Sequence, residues 1–369
     1  MKVKDIASKI EKIAPLKLAQ SWDNVGLLVG SIEQDVKKIL LTIDVTKAVL
    51  SEAKRNKADL IISYHPVIWD NLKKITSDSP SDIVYQLVRS GIAVFSIHTA
   101  LDAAAGGVND GLADIIGIQN AKPIGDFVDD PADNNYKLAV FVPVKSAAKV
   151  AAAVFAAGAG AIGNYSNCGF SSAGEGTFLP LEGSRPAIGK KGRTEKVEEV
   201  RFETIVPAEK LAAVTATMKK AHPYETPAFD IVKLESCCRL GLGRIGELAE
   251  PIQLSRLIKR IKRYTGAKAI GIVGSEKRLV KTAAVCAGSC GAIINSVIAA
   301  GCDLYLTGEL KHHQALAAQE AGVTCLCLSH TVSERFILKK LAILLQKETK
   351  TTTIRLSLKD KDPFRWKQI

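Results

Sequence analysis

The sequence predicts an α/β protein: two pseudo-symmetric α/β halves with parallel-rich sheets, and a ferredoxin-like α+β domain inserted between them. Three observations lead there. Both ends of the chain alternate short apolar strands with helices of 3.6-residue period, the pattern of parallel strands joined by helical crossovers. The two ends repeat one another's wording, "ADLIISYHP" with "CDLYLTGELKHH" and "IAVFSIHTALD" with "VTCLCLSHTVSE". Between them the chain turns alanine- and glycine-rich and reads strand, helix, strand twice over. The expected boundaries are 1–125, 126–238 and 239–369.

The elements follow in order. "MKVKDIASKIEKIAPL" is an amphipathic helix with charges throughout and no apolar signal core. "KKILLTID" is a strand, "TKAVLSEAKRNK" a helix, and "ADLIISYHP" a strand ending at Pro66. "SDIVYQLVRSG" is a helix closed by glycine, and "IAVFSIH" the next strand. In the middle, "NNYKLAVFVPVKSAAKVAAAVFAAGAGAIGNYSNCGF" gives strand, alanine-rich helix and glycine-rich loop. "EEVRFETIVPAEKLAAVTATMKKAHPYETPAFDIVKL" repeats that order and closes on a strand. The last part resumes the first plan: "VKTAAVCAGSCG", "CDLYLTG" and "VTCLCLSH" are strands, with helices in "AIINSVIAAG", "HHQALAAQEAG" and "SERFILKKLAILLQKE".

Composition narrows the classes. At 369 residues the chain is long enough for two or three domains with real cores. No apolar run approaches the roughly 18–20 residues of a membrane span, so a cytoplasmic protein without membrane contact is expected. The eight cysteines show neither a disulfide framework nor two zinc-type pairs, which favours free thiols. A formal charge of +12 invites a nucleic-acid reading. The lysines, however, are dispersed (Lys37, Lys38, Lys339, Lys340), and 5% aromatic residues are too few for a base-stacking surface. Nucleic acid is therefore not favoured, and an anionic small molecule suits the same charge.

The chemistry lies in a phrase written twice. His98-Thr99-x-x-Asp102 and His330-Thr331-x-x-Glu334 each follow an apolar strand, and on a helix residues four apart share a face. His65 stands at a third strand end. Imidazole and carboxylate are ligands for zinc, iron or manganese. One such pair is weak evidence, but two pairs and a third histidine point to a metal centre shared between the halves. Asp102 and Glu334 are placed to bridge two cations, about 3.5–4 Å apart, that turn a trapped water into hydroxide near neutral pH. The spacing alone makes His98 a ligand as well. "GLGRIG" fits the dinucleotide fingerprint, but Pro251 breaks the helix which that motif needs. "CAGSCG" could hold an anion on free amides or be a close-packing turn near the metals, the turn being preferred, and His222 with Glu225 could form an extra metal pair but reads rather as a structural turn between Pro223 and Pro227.

Four further stretches carry a resemblance: "SWDNVGLLVG", "HTALDAAAGGVND", "LTGELKHHQAL" and "SHTVSE". With them the chain resembles the NGG-interacting-factor-three-like proteins, also called GTP cyclohydrolase 1 type 2 homologues. "GAIGNYSNCGF", "GEGTF", "HPYETPAFDIV" and "GLGRIGEL" are similar to the long members, which carry a PII-like or CutA-like inserted domain. The resemblance implies a homohexamer, a dimer of trimers, and a dinuclear centre of two divalent ions (zinc, iron or manganese). Its ligands fall on His65, Asp102, His330 and Glu334. His98 then moves to the edge of the centre, where it or Glu309 is the expected general acid or base. Most bacterial members read His-His-Pro where this chain has Tyr64-His65-Pro66. Tyr64 is thus either a phenolic ligand or a packed side chain, and His312, His313 and Glu309 are expected to line the cavity. Three functions remain open: a metal-dependent hydrolase acting on a nucleotide or other anionic small molecule, a non-catalytic iron or zinc chaperone or store, and a scaffold for transcription-linked partners.

Overall fold

The computed structural model describes residues 1–79, 81–129, 135–234 and 239–365. The chain divides into two compact units, one made of Met1–Val128 with Arg239–Ile369 and the other of Asp129–Cys238. The boundary expected after residue 238 adjoins residues 235–238, which lie outside the described residues, as do Cys237 and Cys238. The six described cysteines are free thiols. Among the described residues no helix is long and apolar enough to cross a membrane.

The first unit holds two sheets. One has five strands in the order Gly26–Val29, Ala93–Ser96, Leu60–Ser63, Lys38–Thr42, Thr353–Leu356. The strands from Ala93 to Leu356 in that order run parallel, and Gly26–Val29 pairs antiparallel at the edge. The other has six strands, Gly271–Val273, Thr324–Cys327, Leu304–Thr307, Leu279–Cys286, Arg239–Gln253 and Ile118–Asp129. Its Thr324, Leu304 and Leu279 strands are parallel, and the short Gly271 strand again pairs antiparallel at one edge. The duplicated wording thus becomes a similar arrangement, parallel strands (four in one sheet, three in the other) beside an antiparallel edge.

Sequence dictates this packing. Leu60–Ser63, Ala93–Ser96 and Leu304–Thr307 are buried at every position, which suits continuous apolar runs covered on both faces. One core joins both sheets, with Leu41, Ile62, Ile97, Val285, Leu306 and Leu326 among its buried residues. The carboxyl ends of six parallel strands then deliver the residues that matter. Asp44, Tyr64 with His65, and His98 follow the strands of one sheet; Gly288, Glu309 and His330 follow those of the other. In parallel α/β sheets that is the end where ligands bind.

The second unit runs strand Asn135–Pro143, helix Val144–Ala156, strands Gly169–Phe178 and Glu195–Pro207, helix Leu211–Ala221, strand Phe229–Lys233. Its four strands pair antiparallel, with Glu195–Pro207 and Asn135–Pro143 in the centre. "GLGRIG" lies inside the strand Arg239–Gln253, so no helix N-terminus faces a phosphate there.

Candidate metal centre

Residues 64 and 65 extend the parallel pairing beyond their strand: the Tyr64 and His65 N–H groups donate to the Thr42 and Ile43 carbonyls, each at 2.9 Å. That fixes the backbone of both residues. The His98 N–H donates in turn to the Tyr64 carbonyl at 2.9 Å and opens the helix His98–Ala103. His330 opens the helix His330–Arg335 in the same way, which puts Glu334 one turn on, as the four-residue spacing requires.

The fold brings three of the expected ligands together. The donor atoms of His65, His330 and Glu334 all lie within 4.8 Å of one another. His330 Nε2 is 3.2 Å from Glu334 Oε1, and His65 Nε2 is 3.4 Å from Glu334 Oε2. The second contact falls short of a hydrogen bond, so Glu334 Oε2 is buried without a partner. The ring centres of His65 lie 5.3 Å from those of His330 and 5.1 Å from those of His98. Early and late segments of the chain therefore share one site.

Each of the three histidines is held from behind by a carboxylate. His65 Nδ1 meets Asp44 Oδ1, His98 Nδ1 meets Asp23 Oδ1 and His330 Nδ1 meets Glu309 Oε1, each at 2.9 Å. A carboxylate on Nδ1 fixes the ring and leaves Nε2 as the free ligand atom. Asp23 is itself fixed, accepting from the Thr99 N–H at 3.0 Å and from the Thr99 hydroxyl. Asp23 and Asp44 escape the sequence reading. Asp23 stood in view inside "SWDNVG", and Asp44 directly after an apolar strand, but neither has a histidine near it in the chain.

Asp102 is tied to Tyr64, whose hydroxyl donates to its Oδ1. Tyr64 is fully buried. Burial, then the charges of Asp102 and Glu334, hold its hydroxyl well above the usual phenol range, so it stays protonated and donates. Burial likewise pushes Asp102 up to about 7; the Tyr64 bond lowers it and the Glu334 charge raises it. Asp102 thus senses Glu334 but stands outside the three-residue cluster. Glu309, expected as a general acid or base, has an oxygen engaged on His330 and serves first to position it. His312 and His313 sit on the exposed first turn of the helix His312–Glu320, apart from the cluster.

The electrostatics ask for cations. Five carboxylates (Asp23, Asp44, Asp102, Glu309, Glu334) surround three imidazoles, and among the described residues none of the five pairs with a lysine or arginine. The ion-free site compensates with protons. For His65 burial opposes the charge, but the hydrogen bond to Asp44 and the adjacent Glu334 carboxylate outweigh it and lift the ring to about 10. The Glu334 bond lifts His330 to about 9 against its burial. Glu334 is depressed, because both histidines outweigh its own burial. An unbonded buried carboxylate oxygen, two charged histidines and a surplus of acid fit a divalent ion in place of the protons. The turn "CAGSCG" makes room: Gly288 has φ +70°, and a Cβ there would stand 2.6 Å from Glu334 Oε1. At the rim the exposed Trp22 and Trp69 present their rings 5.9 and 5.4 Å from His98.

The family model for Duf34/NIF3 (NGG1p interacting factor 3) matches residues 1–363. A Bacillus subtilis protein named GTP cyclohydrolase 1 type 2 homolog is 35% identical over 364 residues, covering 97% of each chain. A Mycobacterium tuberculosis protein of the same name is 37% identical over 339 residues, covering 90% of this chain and 88% of its own. The crystal structure of a Bacillus cereus protein related to NIF3 superposes with a TM-score of 0.73 at 36% identity, and that of a Staphylococcus aureus protein with 0.83 at 27%, each covering 99% of both chains. Similarity of this extent, over both the repeated halves and the segment between them, makes the chain a member of the Duf34/NIF3 family.

Proposed function

We propose that this protein is a dinuclear metal-dependent hydrolase acting on a nucleotide or another anionic small molecule. The observation that carries the reading is the cluster of His65, His330 and Glu334, with ligand atoms within 4.8 Å and one buried carboxylate oxygen unpartnered. These three residues would hold one ion, and Asp102 with the shared Glu334 would hold a second. When bound, such ions acidify water and polarise the bond to be cleaved. Asp44 and Glu309 keep the His65 and His330 rings aimed. His98, fixed through Nδ1 by Asp23 and with Nε2 unbonded among the described residues, is suited to pass a proton. Trp22 and Trp69 offer exposed ring faces on which a planar base can stack, in keeping with the name of the relatives.

One observation favours a second reading, a metal chaperone or store. A phenol stands where a further imidazole would complete the ligand set, and the side chains of His330 and Glu309 are 35% and 49% exposed. An incomplete, accessible site exchanges its ion readily. The hexamer and the PII-like nature of residues 126–238 belong to the same proposal, and rest on the resemblance.

The test is turnover of GTP and a panel of phosphoesters by protein loaded with zinc, iron or manganese. We expect activity that falls at least about a hundredfold in Asp102→Ala and Glu334→Ala. Turnover unaffected by both changes, or none with any ion while metal passes to an apo-acceptor, selects the second reading.

A further inference from the structure

The 129–238 unit contains a cavity of about 480 Å³, a size that suits one small organic ligand. Its walls include two stretches that the metal site leaves unused, "GEGTF" and "HPYETPAF". Phe141, Phe178 and Tyr224 make it aromatic, with the Phe178 and Tyr224 rings 5.6 Å apart. Arg185 N–H donates to Glu225 Oε1 at 2.9 Å and so stitches the 184–187 loop to the turn across the cavity.

Inside this apolar lining stands a carboxylate. Glu199 is 8% exposed and lines the cavity. Its Oε1 accepts from the Tyr224 hydroxyl at 3.0 Å, and among the described residues Oε2 has no hydrogen-bond partner. Among the described residues no lysine or arginine forms an ion pair with it, Arg185 in the same cavity wall included. Lys196 is bonded to Glu175 and Arg201 to Glu203, each at 2.8 Å. The nearby imidazole is also committed. His222 Nε2–H donates to the Phe141 carbonyl at 2.9 Å while Nδ1 accepts from the Tyr224 N–H at 3.0 Å, and burial lowers its basicity, so the ring stays neutral. The glycine of "GEGTF" completes the design. A Cβ on Gly176 would crowd Glu199 Oε2 and make the carboxylate shift from its place.

A buried carboxylate without a cation is costly unless something donates to it. With aromatic walls on either side, the donor that fits is flat. We infer that this cavity binds a small planar ligand that presents paired N–H donors to Glu199, an amidinium or an aminopyrimidinone edge, with its ring against Phe141, Phe178 and Tyr224. A carboxylate accepts such a pair side by side, and aromatic faces take the ring. The site lies wholly within residues 141–228 and owes nothing to the metal reading.

Calorimetry on the full-length protein tests this with two matched pairs of probes, benzamidine against benzamide and guanosine against inosine. Each control keeps the ring and loses the paired donors. We expect benzamidine or guanosine to bind at millimolar affinity or tighter, and its control at least about tenfold more weakly. The cationic and the neutral edge separate by salt, since only benzamidine weakens as ionic strength rises. Glu199→Gln should weaken the binding about tenfold or more, while Glu334→Ala leaves it unchanged. Should Glu199→Gln misfold by circular dichroism, Gly176→Ala reads the same loss by crowding the carboxylate. Failure of both probes to bind, equal binding of a probe and its control, or binding retained within twofold in the folded variant overturns the inference.

Discussion

At the scale of residues, the proposed site would exchange protons for cations. His65 and His330 carry protons in the ion-free protein because Glu334, Asp44 and Glu309 reward the charge. A metal takes the neutral ring, so loading at pH 7.5 should release about two protons per pair of histidines engaged. Calorimetry in buffers of different ionisation enthalpy measures that number, and affinity should climb as pH rises toward 10. The sign for stability is opposite in the ion-free protein. Asp102, His330 and His65 all have raised folded-state values, so their stabilisation is full below their unfolded values and is lost as pH rises through about 7, 9 and 10 respectively. The melting temperature of ion-free protein should therefore fall from pH 6.5 to 10, and added zinc or manganese should flatten the slope. The carboxylates behind the rings act differently. Asp44 is 40% exposed and bonded to His65. Asp44→Asn should lower metal affinity about 10–100-fold while moving the melting temperature little, measured by competition with a chelator.

At the scale of elements, two turns decide whether the ligands meet. Ser329, just before the His330 helix, sits at φ 74° and ψ 154°, a region nearly reserved for glycine that costs about 1–3 kcal/mol. Its N–H bonds the Gly308 carbonyl at 2.9 Å and its hydroxyl bonds Asp362 at 2.5 Å, which hold the strained conformation. The facing turn is the glycine pair. Gly308 N–H bonds the Gly288 carbonyl at 3.1 Å, and Gly288 lies against Glu334. Gly288→Ala adds both left-handed strain and a methyl against the carboxylate. It should cost about 1–3 kcal/mol of stability by denaturant titration and weaken metal binding at least about tenfold. A stable variant with unchanged affinity would show that Glu334 has room to move.

At the scale of the whole molecule, every residue of the proposed metal centre falls in Met1–Val128 and Arg239–Ile369. The strands Ile118–Asp129 and Arg239–Gln253 that flank the other unit are neighbours in one sheet, so a short linker can join them. A chain with residues 130–238 replaced by a glycine–serine linker should fold and bind zinc with affinity within about threefold of the full chain. Metal analysis after dialysis checks it. Loss of binding would mean that the second unit supports the first.

Much was legible from the chain alone. Periodicity and glycine stops fixed the alternating strands and helices, because those signals act over a few residues. The doubled His-Thr-x-x-acid phrase gave His330 and Glu334 as a pair, because one helical turn sets their spacing wherever the helix goes. The edge strands Gly26–Val29 and Thr353–Leu356 went unread, since at the sheet edge they are only partly buried, unlike the fully buried strands of the same length that were read. Tertiary structure decided the rest: that His65 joins His330 and Glu334, that Asp102 turns to Tyr64, and that Asp23, Asp44 and Glu309 stand behind the rings. Those choices depend on hydrogen bonds and charges between segments 20 to 270 residues apart. No local propensity encodes such distances; packing two sheets on one core does.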